Sequence, residues 1–123
     1  MKRKILVIED EKDIADLVKL VLETQEYEVE SVLDSEKAIE TMKRYKPDAI
    51  LLDLTMPKID GWAIFKQIRK MEEFATVPVA ILTAKSQEFD AMVGLHVMNA
   101  DAYIKKPFGK QELIERINGL FTT

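Results

Sequence analysis

Five short aliphatic runs, separated by stretches of helical periodicity, restrict this chain to very few architectures. The runs are ILVI at 5–8, YEVESV at 27–32, AILL at 49–52, VPVAIL at 77–82 and AYIK at 102–105. The first, third and fourth are apolar throughout, as strands covered on both faces are. The second alternates and carries charges, which places it near a sheet edge. Between the runs, Ile14, Leu17, Val18, Val21 and Leu22 recur at helical spacing. Ser35 stands where it can cap a helix carrying Ala38, Ile39 and Met42. Ile64, Phe65, Ile68 and Met71 mark a third helix. Glu88 to Met98, apolar on several faces, is read as a fourth, and Leu113, Ile114, Ile117, Leu120 and Phe121 mark the last. Strand and helix alternate five times. That order predicts an α/β fold: a doubly wound five-stranded parallel sheet with helices on both faces, joined by right-handed crossovers. With no repeat, low-complexity tract or linker, residues 1–123 are expected to form a single domain, with no output domain in this chain.

Composition narrows the function classes. The net charge of −4 gives no reason to expect direct binding of nucleic acid or of an anionic membrane. No apolar run is long enough to span a bilayer, and the basic start, MKRKILVIEDE, is interrupted by acids before it can serve as a signal peptide. The absence of cysteine excludes disulfides and Cys-ligated zinc and suits a reducing compartment, so a cytoplasmic location is expected.

In doubly wound sheets, ligands bind beyond the carboxyl ends of the strands. Here the first strand ends in Glu9, Asp10 and Glu11, and the third in Asp53. The fourth ends in Thr83 and Ala84, and the fifth in Lys105 and Lys106, before Pro107. An apolar strand closing on an aspartate is costly unless that charge is compensated. The predicted topology gathers several carboxylates beside a hydroxyl and an ammonium. A hard divalent cation relieves the repulsion among the acids, and an all-oxygen set suits Mg²⁺, which keeps waters and also binds phosphate. Lys106 offers a compact charge for phosphate, and Thr83 a hydroxyl donor. Asp53 is then placed to attack phosphorus and form an aspartyl-phosphate.

Taken together, ILVIEDE at 5–11, LLDLTMPKIDGW at 51–62, ILTA at 81–84 and ADAYIKKPF at 100–108 resemble the receiver domain of two-component response regulators. The resemblance covers essentially the whole chain. It implies a flavodoxin-like fold of the receiver type, with Asp53 as phosphoacceptor. Glu9 and Asp10 become the acidic pair for Mg²⁺, Asp10 the direct ligand, joined by Asp53 and the backbone carbonyl of Thr55. Thr83 and Lys106 would hold the phosphoryl group, Ala84 would leave it room, and Tyr103 would be the aromatic whose rotamer follows activation. A cis peptide bond between Lys106 and Pro107 is also implied. The implied partners are a sensor histidine kinase or phosphotransfer protein, and a downstream protein docking on the face made by the fourth helix, fifth strand and last helix. Thr55 and Lys85, two beyond Asp53 and Thr83, would influence the phosphoryl lifetime. Self-catalysed phosphorylation and hydrolysis would serve signalling, so the chain is not expected to be a metabolic enzyme.

Two departures stand out. Glu9 occupies a position where the family more often has aspartate, and GLHVMNADAYIKKPF carries an extra residue before Ala100, with Asn99 near the usual glycine. A longer or distorted turn is expected there. Three other classes of protein share part of this pattern. A haloacid-dehalogenase phosphatase shares the Asp, Thr, Lys and Mg²⁺, but needs a second Asp two residues after the nucleophile, where this chain has Thr55. A flavin carrier of the same topology needs a phosphate loop after the first strand, where acids stand instead. A receiver-like module acting without phosphorylation would not need the full set of chemistry-bearing residues. His96, the sole histidine, is read as a surface or packing residue, and Trp62 as a packing residue whose fluorescence can report on the site.

Overall fold

The computed structural model of the protein describes residues 2–54, 61–84 and 100–121. Its centre is one sheet of five parallel strands: β1 (Arg3–Ile8), β2 (Tyr27–Val32), β3 (Ala49–Asp53), β4 (Val79–Ala84) and β5 (Ala102–Lys106). They lie in the order β2-β1-β3-β4-β5. Helices α1 (Lys12–Glu23), α2 (Ala38–Tyr45), α3 (Gly61–Lys70) and α4 (Lys110–Gly119) cover it. The doubly wound parallel fold expected from the alternation is therefore observed, with charged β2 at an edge. The helix read at Glu88 to Met98 and the turn around Asn99 lie outside the described residues.

Strand pleating explains why β3 is apolar throughout. Ile50 and Leu52 point into one core with Leu6, Ile8, Ile81 and the α2–α3 residues Met42, Phe65 and Ile68. Ala49 and Leu51 point into the other with Ile5, Val7, Leu82 and the α1 and α4 residues Val18, Leu22, Leu113 and Ile117. All five β3 residues are buried, so either parity must be apolar until the strand reaches its last residue, Asp53.

Several boundaries differ from the sequence pattern for local reasons. Asp34, not Ser35, makes the cap before α2: its carboxylate accepts the Glu36 N–H at 3.0 Å and opens a short 3₁₀ turn at Ser35–Lys37. Ser35 is instead buried. Leu17, counted among the α1 periodic residues, is 48% exposed, and Ala15 takes an inward position. Leu120 and Phe121 fall beyond α4. Phe121 leaves the helix and stacks on Tyr27 with ring centroids 5.9 Å apart.

Candidate functional site

β1 and β3 are adjacent in register, pairing Ile8 with Leu52, so their next residues, Glu9 and Asp53, emerge together at one edge of the sheet. Glu9 remains tied to β2 by its backbone N–H, which donates to the Val32 carbonyl at 3.1 Å. β3 and β4 pair Asp53 with Leu82, which sets Thr83 one residue beyond. β4 and β5 pair Ala84 with Lys106, so the lysine closes the row. Four strand ends far apart in sequence thus bring these residues to one edge of the sheet.

Glu9, Asp53 and Thr83 have no exposed surface. The Lys106 side chain is 14% exposed. Its Nζ lies 3.1 Å from Glu9 Oε2 and 3.4 Å from Asp53 Oδ2. Glu9 Oε1 accepts the Glu11 N–H at 3.1 Å. Glu9 Oε2, by contrast, has the ammonium nearby but no aligned hydrogen-bond donor. Burial, and then the Asp53 charge, push the Glu9 carboxyl up to about 7 from an ordinary 4.5. Burial alone would lower the Lys106 ammonium, but the hydrogen bond to Glu9 and the Asp53 and Glu9 charges outweigh it, and its net shift is upward.

The three carboxylates Glu9, Asp10 and Asp53 offer oxygens all within 4.8 Å of one another, two from buried residues and one from exposed Asp10. A buried carboxylate oxygen without a directional partner and a strongly raised pKa are what acids show when gathered for a cation. The donor set is all oxygen, and one side faces solvent through Asp10. A small hard cation that retains water fits it.

Of the residues singled out from sequence, the structure brings Glu9, Asp10, Asp53 and Lys106 into contact range, and Thr83 and Ala84 onto the adjoining end of β4. Tyr103 lies on β5 opposite Ile81, packed against the core on the α2–α3 side. The Lys106–Pro107 bond is cis, as the resemblance implies. Thr55 and Lys85 lie outside the described residues. Two features had no signature in the sequence. Lys106 sits nearer Glu9 than Asp53, which depends on side-chain length across two strands. Gly61 is the buried first residue of α3. A Cβ there would sit 2.7 Å from Leu54 Cα and 2.9 Å from the Asp53 carbonyl oxygen. The missing side chain lets α3 begin against the strand that carries Asp53.

Comparison with known proteins agrees with this geometry. Residues 5–118 match the family described as "Response regulator receiver domain". Over 120 residues the chain is 39% identical to the alkaline phosphatase synthesis transcriptional regulatory protein PhoP of Bacillus subtilis (strain 168), covering 98% of this chain and 49% of that protein. The chain therefore spans about half the length of this relative. A Chloroflexus aurantiacus J-10-fl chain with a provisional response-regulator assignment superposes with a TM-score of 0.90 at 31% identity, covering 99% of this chain and all (100%) of that one. The BeF3-activated N-terminal receiver domain of Klebsiella pneumoniae RstA superposes with a TM-score of 0.86 at 26% identity, covering 98% and 100%. The chain belongs to the receiver-domain family of two-component response regulators, whose work is phosphorylation-dependent signalling. No helix among the described residues is long and apolar enough to cross a membrane.

Proposed function

We propose that Asp53 is the phosphoacceptor of a signalling switch, loaded by the phosphohistidine of a histidine kinase or phosphotransfer protein. A carboxylate oxygen of Asp53 attacks phosphorus. The bond from phosphorus to the donor's imidazole nitrogen breaks, the imidazole leaves, and Asp53 carries an acyl phosphate. The observation that carries this reading is the meeting of three carboxylates within 4.8 Å with an ammonium 3.4 Å from Asp53. An ordinary buried aspartate has no use for two acidic neighbours. A phosphoryl-transfer site needs both signs of charge, because the reaction is chiefly positioning and charge neutralisation.

Each residue then has a role. Glu9, Asp10, Asp53 and the backbone carbonyl of Thr55 would hold Mg²⁺, which supplies positive charge for the phosphoryl oxygens when bound. Lys106 exchanges its bond to Asp53 for one to the incoming phosphate. Thr83 donates its hydroxyl to another phosphoryl oxygen, and Ala84 leaves space for that approach. Tyr103, on the same strand as Lys106, turns inward as Thr83 is drawn toward the phosphate. The bound charge thereby selects a second arrangement of the neighbouring surface, a population shift driven by local electrostatics. That surface receives a downstream protein, and the same site hydrolyses the acyl phosphate to reset the switch. The similarity to the RstA receiver, activated in its structure by BeF3, supports testing beryllofluoride here.

Intact-mass analysis after incubation with acetyl phosphate and Mg²⁺ tests the reading. One phosphoryl adduct is expected in the parent and none in Asp53→Asn or without Mg²⁺. An adduct that persists in Asp53→Asn would remove Asp53 from its role. No adduct in a folded parent that also ignores beryllofluoride would point to a module that binds partners without phosphorylation.

A further inference from the structure

Among the described residues β5 is an edge strand that pairs only with β4, and of its five residues only Ile104 is fully buried. Register is held strongly where a slip would expel a whole buried face, because moving by one residue turns every side chain over. Buried Ile104 with half-buried Ala102 and Tyr103 holds it less than the five buried residues of β3 hold theirs. A slip here would also have a chemical consequence. Lys105 and Lys106 are neighbours, so a one-residue shift that set Lys105 opposite Ala84 would withdraw the lysine that meets Glu9 and Asp53 and present the other.

The opposite end of β5 carries a clamp. Asp101, immediately before the strand, donates its backbone N–H to the Val79 carbonyl at 3.0 Å. Its Oδ2 accepts the Val79 N–H at 2.8 Å. This two-point pairing joins the starts of β4 and β5 one step ahead of the Ala80–Ala102 pair. The same oxygen lies 3.1 Å from Arg69 Nη2. Arg69, in the last turn of α3, donates through Nη1 to the Val77 carbonyl at 2.6 Å, and its guanidinium lies over the Phe65 ring at 5.0 Å. Phe65 is a core residue. The carboxylate that grips β4 is therefore braced by a cation seated on the core.

We infer that Asp101, braced by Arg69, sets the β4–β5 register and so determines that Lys106, not Lys105, is delivered to the acidic site. Asp101 touches none of the reacting groups, so its role is positioning. It acts five residues away, through the strand. The functional consequence rests on the proposed role of Lys106, but the register itself does not.

The test is trace acylation of the native chain with acetic anhydride, scored at Lys105 and Lys106 by fragment mass spectrometry. In the parent, Lys106 is held by Glu9 and Asp53, and the Lys106-to-Lys105 labelling ratio is the reference. Asp101→Ala should raise the Lys106-to-Lys105 labelling ratio several-fold, and Asp101→Asn, which keeps an acceptor for the Val79 N–H, should retain the parental ratio. A clamp that merely stabilised the fold would lower the melting temperature and leave the ratio alone. An unchanged ratio in folded Asp101→Ala therefore overturns the inference. Should that variant not fold, Arg69→Ala decides in its place: it leaves Asp101 present without its brace, a several-fold rise is expected, and an unchanged ratio overturns the inference. No phosphodonor enters the measurement, so failed phosphorylation of the parent would sink the proposed function and leave this result standing.

Discussion

Glu9 is a carboxyl with no exposed surface that faces a second carboxylate, and the ammonium 3.1 Å away does not cancel both effects. Its pKa of about 7 in the metal-free protein has a consequence for stability. Between pH 4.5 and 7 the unfolded chain has released this proton while the folded chain retains it. The native state then binds more protons, so its stability falls as pH rises through that window. The full displacement corresponds to roughly 3 kcal/mol as an upper figure. Urea denaturation of the chelator-treated protein across that range should show the decline, and Glu9→Gln should flatten it. A parent whose stability stays flat over the same interval would mean that Lys106 compensates Glu9 fully. Lys106 itself is best judged by function: Lys106→Ala should still take up Mg²⁺, seen by titration, yet lose the coupling between phosphorylation and partner binding. Partner binding by that variant that still responds to phosphate would refute the assignment.

At the level of elements, the junction between β3 and α3 leaves no room for a side chain at Gly61. Gly61→Ala would place a methyl group 2.7 Å from a backbone carbon, which no rotamer change relieves. Either α3 or the end of β3 must move. A loss of about 1–3 kcal/mol is expected, typical of overpacking, with weaker Mg²⁺ binding because Asp53 sits on the displaced strand. Thermal melts with and without Mg²⁺ measure both, and a variant as stable as the parent with parental Mg²⁺ affinity would show that the junction is slack. The example also shows what could be read from one dimension. Strand ends were legible because β1, β3 and β4 are apolar on both faces and each stops abruptly at a polar residue. The cluster of Glu9, Asp10, Asp53, Thr83 and Lys106 followed from topology, which brings those ends to one edge. What could not be read were contacts set by backbone proximity or by side-chain reach. The steric need for Gly61, the choice of Asp34 over Ser35 as cap, and the preference of Lys106 for Glu9 all depend on distances that spacing in sequence does not encode.

The whole molecule has two chemically different ends. At the carboxyl ends of the strands stand the acids and Lys106. At the amino ends the chain is closed by polar and aromatic fastenings. Tyr27 donates its hydroxyl to Asn118 Oδ1 at 2.5 Å, the Arg3 guanidinium lies 4.2 Å from the Phe121 ring centroid, and Lys4 N–H donates to Asp48 Oδ2 at 2.7 Å. The sheet between them is packed on both faces, and closely packed interiors transmit strain well. Yet no charged or hydrogen-bonded chain among the described contacts links one end to the other along β1 or β2, whose middle residues are aliphatic or face solvent. The two ends should therefore act independently. Phe121→Ala removes the ring from Arg3 and Tyr27 and should destabilise the protein by about 1–3 kcal/mol. Saturating Mg²⁺ at about a hundred times its dissociation constant should add roughly 2.7 kcal/mol by mass action. If the ends are independent, the Mg²⁺ increment is the same in the parent and in Phe121→Ala to within about 0.5 kcal/mol, as for distant sites without shared partners. Urea denaturation of both proteins, with and without Mg²⁺, gives the four stabilities needed. An increment that shrinks in Phe121→Ala would mean that the carboxylate cluster is aimed partly by tension from the far edge, and that anything engaging Phe121 would also tune the site.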